Sequence, residues 1–89
     1  MALIRFTSPY ARQTGTKQLR IEAQNLRDAL RQVVQLYPSV FQGLLDTEEK
    51  LTHKAVVFVG GRNAWTLKGA DTSIENDTDV LIVPFLSNG

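Results

Sequence analysis

Eighty-nine residues, 43% of them apolar and 21% charged, form a chain at the small end of the single-domain range, large enough for one core that buries about 60–65% of the unfolded surface and too apolar for a disordered segment. Ten basic residues against nine acidic ones leave a formal net charge of +1, which offers no concentrated basic surface for nucleic acid. The absence of cysteine excludes disulfides, thiol catalysis, thiolate zinc sites and cysteine-held iron–sulfur clusters.

Ala2 to Thr7 alternates, with Ala2, Ile4 and Phe6 on one face and Leu3, Arg5 and Thr7 on the other, which predicts a half-buried first strand. The stretch from Ser8-Pro9-Tyr10 to Gly15-Thr16 is rich in turn formers, and Lys17 to Ala23 alternates again with Leu19, Ile21 and Ala23 on one side. These two segments predict an antiparallel hairpin. Asn25 is suited to cap a helix and Asp28 to its positive first turn, and Leu26, Ala29, Leu30, Val33, Val34 and Tyr37 follow at helical spacing until Pro38 ends it. Val40, Phe41, Leu44 and Leu45 form a second short apolar cluster, packed under a loop, and Asp46-Thr47-Glu48-Glu49-Lys50 reads as a surface loop.

Ala55-Val56-Val57-Phe58-Val59 is apolar on both faces and β-branched, as a central strand should be, and Gly60-Gly61-Arg62-Asn63 predicts the turn into a strand at Ala64-Trp65-Thr66-Leu67. Gly69 to Asp79 is polar, with Ile74 as its one large apolar anchor, and Val80-Leu81-Ile82-Val83 forms the last strand, stopped by Pro84. The order β-β-α-β-β-β places the chain in the α+β class, with one main helix across one face of a sheet of four to five strands. Residues 1–83 form the domain and 84–89 a flexible C-terminal tail. The helix covers one face, so Val56, Phe58, Leu81 and Val83, or their alternating neighbours, point to the other. A protein partner would cover such a face; scattered apolar residues on a sheet are also ordinary.

No basic leader precedes an apolar stretch and no apolar run approaches membrane-spanning length, so the sequence predicts a cytoplasmic protein with no membrane partner. Asn76-Asp77-Thr78 reads as a turn. His53 stands alone between polar neighbours, so a loop or strand-edge position is expected and no role is assigned to it. Asp71, Glu75, Asp77 and Asp79 lack the ligand order and central glycine of a calcium loop, and no metal is expected. Trp65 is expected to pack on its strand, whereas Phe85, beside the tail, suits either packing or an interface. No nucleophile, base and orienting group converge, which argues against an enzyme.

Taken together, Ile4-Arg5-Phe6, Leu36-Tyr37-Pro38, Leu44-Leu45-Asp46, Val56-Val57-Phe58-Val59-Gly60-Gly61, Leu67-Lys68-Gly69-Ala70-Asp71-Thr72, Asn76-Asp77-Thr78-Asp79-Val80 and a proline-containing tail ending in glycine resemble one known family. It is the family of small sulfur carriers typified by the small subunit of molybdopterin synthase and the thiamine-pathway carrier, and among them the longer members that include the cysteine-biosynthesis carrier. The resemblance covers nearly the whole chain and implies a ubiquitin-like β-grasp fold with a mixed sheet.

It also implies a function. A partner adenylating enzyme would use ATP to activate the C-terminal carboxylate of Gly89, and a sulfur donor would convert it to a thiocarboxylate. The sulfur would then pass to an acceptor, a synthase large subunit or another sulfur-accepting enzyme. The carrier itself binds no cofactor, and Pro84, Phe85, Leu86, Ser87 and Asn88 form the tail that enters its partners. Members of the family usually end in Gly-Gly, whereas Asn88 holds the penultimate position here. A ubiquitin-like protein modifier joined to lysines through Gly89, and a β-grasp interaction module without tail chemistry, are the alternatives.

Overall fold

The computed structural model describes residues 1–85. Five strands form one sheet: β1 (Ala2–Phe6), β2 (Gln18–Ile21), β3 (Ala55–Val59), β4 (Arg62–Asn63) and β5 (Asp79–Pro84), in the spatial order β2-β1-β5-β3-β4. β1 runs antiparallel to β2 and parallel to β5, and β3 runs antiparallel to both β5 and β4, so the sheet is mixed. The main helix, α2 (Leu26–Leu36), lies across one face and buries Leu26, Ala29, Leu30 and Val33 completely. Opposite them the strands supply Ala2, Ile4, Phe6, Val57, Val80 and Ile82. The α+β order and the single covering helix agree with the sequence.

Local chemistry accounts for the start of α2. The Asn25 side chain accepts a 2.8 Å hydrogen bond from the Asp28 N–H, satisfying a donor that the first helical turn leaves without a partner. Pro38 ends α2 as expected and also opens a further short helix, α3 (Pro38–Phe41), because its missing N–H costs nothing at a first helical position. That turn drives Phe41 into the core against Phe6 (ring centroids 5.3 Å apart) and Tyr10 (4.9 Å). The second apolar cluster is thus in the core through Phe41 and Leu44. The loop at Asp46–Lys50 lies on the surface, tied to α2 by bonds from Arg27 Nε to the Glu49 carbonyl (2.9 Å) and from Arg31 Nε to the Glu49 carboxylate (2.6 Å).

Three expectations need correction. The connection between the first two strands is not plain turn: Tyr10–Thr14 forms a short helix, α1, whose Tyr10 is buried against Phe41. Tertiary packing of that ring orders a segment whose composition alone reads as loop. The second hairpin turn is shorter than expected, because Gly60 and Gly61, at φ 59° and 82°, complete it alone. Two consecutive positive φ values suit the twist of a two-residue hairpin, so Arg62 and Asn63 fall in β4. The strand expected at Ala64–Leu67 is a 3-10 turn at Ala64–Thr66, where the Asn63 side chain accepts the Trp65 N–H at 2.9 Å and turns the chain off the sheet. Ile74, by contrast, is the buried anchor of its polar segment, its N–H bonded to the Gln24 carbonyl at 3.0 Å.

Candidate functional site

The topology makes the last strand the middle one. β5 lies between β1 and β3, starts opposite Leu3 and ends with Pro84 opposite Ala55. The chain that follows therefore leaves from the centre of the sheet, at the end away from the N-terminus. Pro84, assigned to the tail on sequence, is the last residue of β5, and Phe85 follows it half exposed. Leu86, Ser87, Asn88 and Gly89 lie outside the described residues.

The register brings two further rings to this point. Because Ala55 opposes Pro84 across an antiparallel pair, the residues just before β3 meet those just after β5. His53 stands there, with its ring centroid 6.0 Å from that of Phe85. The 3-10 turn after β4 then lays Trp65 on the other partner: the His53 and Trp65 rings are 5.1 Å apart and 15° from parallel. Trp65 is 49% exposed and Phe85 50%. The expected strand packing of Trp65 is thus replaced by an exposed stack. His53 does lie in a loop, as expected, but its place between two other rings could not be read from its polar neighbours.

Beside the tail root lies the open face of the sheet. Val56 pairs with Val83 and Phe58 with Leu81, and these four, with Leu3, are half buried on the face opposite α2. Strand parity settles which alternate residues face outward, Ala55, Val57, Val59, Val80 and Ile82 being the core set. On the same face Arg5 grips Asp79 with two bonds, Nε to Oδ1 at 2.5 Å and the terminal nitrogen to Oδ2 at 2.8 Å. That hydrogen-bonded carboxylate raises the Arg5 pKa further above its already high ordinary value, so the guanidinium stays charged at the edge of the apolar strip.

Other features lie away from the tail or lack reactive groups. An open cavity of about 600 Å³, lined in part by Met1, Ala23 and Ile74, lies where β5 begins, at the opposite end of the sheet from Phe85. A second, of about 370 Å³, is bordered by Arg5, Lys17 and Leu81. Thr7, on its wall, holds a buried hydroxyl without a hydrogen-bond partner among the described residues. Among those residues no three His, Cys, Asp or Glu side chains are grouped to hold a metal ion, and no helix is long and apolar enough to cross a membrane.

No protein-family model and no curated protein sequence matches the chain. Solved structures do. The small archaeal modifier protein 1 of Methanosarcina acetivorans superposes with a TM-score of 0.85 at 18% identity, over 99% of this chain and 95% of that one. A chain of the BexX/CysO complex of Amycolatopsis orientalis gives 0.81 at 17% identity, over the full length of both. A putative molybdopterin converting factor, subunit 1, from Pyrococcus furiosus gives 0.75 at 13% identity, over 96% and 97%. At these identities the likeness is one of fold, and it covers nearly the whole of the chains compared. A mixed five-stranded sheet crossed by one main helix, with the C-terminal strand in its centre, identifies this chain as a ubiquitin-like β-grasp domain.

Proposed function

We propose that the protein is a sulfur carrier whose reactive group is the carboxylate of Gly89. The observation that carries this reading is the exit of the C-terminal residues from the central strand, beside an uncovered apolar face, in a fold shared along its whole length with a modifier protein, a chain of the BexX/CysO complex and a converting-factor subunit. A free carboxylate is an anion at neutral pH and a poor electrophile. In the proposed cycle a partner adenylating enzyme lets a Gly89 oxygen attack the α-phosphorus of ATP, releasing pyrophosphate and leaving an acyl adenylate. Hydrosulfide released by the sulfur donor then attacks the carbonyl carbon, the C–S bond forming as AMP departs, and the resulting thiocarboxylate passes its sulfur to a synthase large subunit or other accepting enzyme. The pathway served is molybdopterin-type cofactor or cysteine biosynthesis.

This chain contributes no catalytic side chain to those steps. It supplies a terminus, a tether and a docking surface. Glycine at the end lets the backbone approach a nucleotide closely because it lacks a Cβ. Asn88 retains some of glycine's access to left-handed conformations, but its side chain occupies room beside the terminus. The open strip of Val56, Phe58, Leu81 and Val83 is the surface that a partner would cover while holding the tail.

Incubation with the cognate adenylating enzyme, ATP and a sulfur source is expected to shift the intact mass by the exchange of one oxygen for one sulfur, and deletion of Gly89 should abolish the shift. An unshifted mass beside a competent enzyme would sink the reading. The likeness to a protein named a modifier favours one alternative, attachment through Gly89 to lysines of other proteins. Immunoblots of the native cell would then show a ladder of heavier conjugates instead of one free band.

A further inference from the structure

Leu86 to Gly89, fully extended, reach at most about 14 Å beyond Phe85. A protein that draws the Gly89 carboxylate into its own active site must therefore lie against the root of the tail. What it meets there is the aromatic group built from three separate segments: His53 from the loop before β3, Trp65 from the 3-10 turn after β4, and Phe85. Half of Trp65 and half of Phe85 is left in water, and His53 is exposed as well. Their burial is withheld in the free protein, and large, rigid aromatic surfaces of this kind supply most of the affinity of interfaces when covered.

The charges around the stack indicate what kind of surface covers it. Trp65 also walls a cleft of about 290 Å³ with Arg27, Lys50 and Lys68 on its border, and Lys54 follows His53 directly. Arg27 is paired with Asp71 and Lys50 with Glu48, whereas Lys54 and Lys68 are exposed and form no ion pair among the described residues. The Asp46 carboxylate on the cleft accepts the Glu48 and Lys50 N–H groups at 2.8 and 2.9 Å and keeps its charge, so Asp46, Glu48 and Asp71 stand against Arg27, Lys50, Lys54 and Lys68, an excess of one positive charge. The group is thus an apolar centre with a rim that carries excess positive charge, and its complement is an apolar surface edged with carboxylates.

We infer that His53, Trp65 and Phe85 form the contact surface for the protein that activates Gly89, with Trp65 as the main anchor and Lys54 and Lys68 facing acidic residues of that protein. The inference rests on the carrier reading and adds to it two residues, His53 and Trp65, which lie far from the tail in sequence. None of the three touches a reacting atom; they hold the carrier while its terminus is activated.

The test is steady-state charging of the full chain by its cognate adenylating enzyme with ATP, read as pyrophosphate release against carrier concentration. Trp65→Ala is expected to raise KM roughly tenfold with kcat little changed, Trp65→Phe to recover most of the loss, and His53→Ala and Lys54→Glu to raise KM a few-fold. Trp65 is the one tryptophan of the chain, so its emission should shift to the blue when the enzyme is added to the wild type. Circular dichroism of each variant checks that the fold is intact. A charged wild type with an unchanged KM for Trp65→Ala and no emission shift overturns the inference alone, as does a fall in kcat at constant KM. An uncharged wild type overturns the carrier reading and this one with it. If the wild type sediments as a dimer that Trp65→Ala dissociates, the occupant is a second copy of the chain and the inference is overturned in that direction.

Discussion

Val56 and Val57 are neighbours on one strand, yet Val57 is 2% exposed beneath α2 while Val56 faces the open side, half buried, beside Val83. The same division runs through β5, where Val80 and Ile82 are sealed and Leu81 and Val83 are not. One helix has the breadth to cover one face of a five-stranded sheet, and a chain of this size has no second layer to spend on the other. The closed face therefore carries the stability of the domain, and the open face, with the tail root at its end, is available for partners. The two faces should respond differently to the same kind of substitution.

The largest effect is expected on the closed side. Leu30→Ala removes a fully buried side chain from the centre of α2 and should cost about 2–5 kcal/mol in chemical denaturation. Phe58→Ala deletes a larger side chain from the open face, but should cost less, about 1–3 kcal/mol, because that side chain is only partly buried. It should instead weaken partner binding, measured by calorimetry. A loss for Phe58→Ala as large as that for Leu30→Ala would break the distinction between the faces.

Asn25→Ala tests a local contribution to the closed side. It frees the Asp28 N–H at the start of α2 and should cost about 1 kcal/mol in thermal or urea unfolding, with partner binding unaffected. At the tail, Asn88→Gly is expected to speed charging by the adenylating enzyme without changing stability at all.

The smallest effect is one of pH. Asp46 titrates below its ordinary 3.8 because the Lys50 and Glu48 N–H groups donate to its carboxylate. Glu49 titrates below 4.5 because the Arg31 guanidinium donates to it. A carboxyl whose pKa is lower in the folded state stabilises that state above its unfolded pKa, and the contribution disappears as pH falls through the lowered value. The urea midpoint should therefore be flat above about pH 5 and decline in acid, and Glu49→Gln should remove part of that decline. Both groups are exposed and screened, so the slope is slight.

Periodicity and capping chemistry were sufficient for most of the architecture. The alternation of Ala2-Ile4-Phe6, the helical spacing from Leu26 to Tyr37 behind Asn25, and the apolar runs at residues 55–59 and 80–83 each identify an element from neighbouring residues alone. The family resemblance added the mixed sheet and the β-grasp arrangement that the fold shows. What local pattern could not supply was long-range placement. Tyr10 becomes helical because its ring fills a space beside Phe41, thirty-one positions on, and Trp65 leaves the sheet because Asn63 caps a turn that competes with the strand. Strand periodicity favoured Ala64–Leu67 as sheet, and it was overruled by a side-chain hydrogen bond that gives the backbone a turn in place of further pairing.

The tail shows the same boundary between the two kinds of information. The sequence by itself determined the α+β class and the order of most elements, since composition, alternation and order are properties of neighbours along the chain. Only the tertiary structure decided that the strand before the tail is the central one and that Val56, Phe58, Leu81 and Val83, rather than their neighbours, face outward. It also decided that His53 and Trp65 stand beside Phe85. The physical reason is register: a strand's alternation fixes which residues share a face but leaves open which residue lies opposite which, and the pairing of Ala55 with Pro84 is what brings three distant rings together.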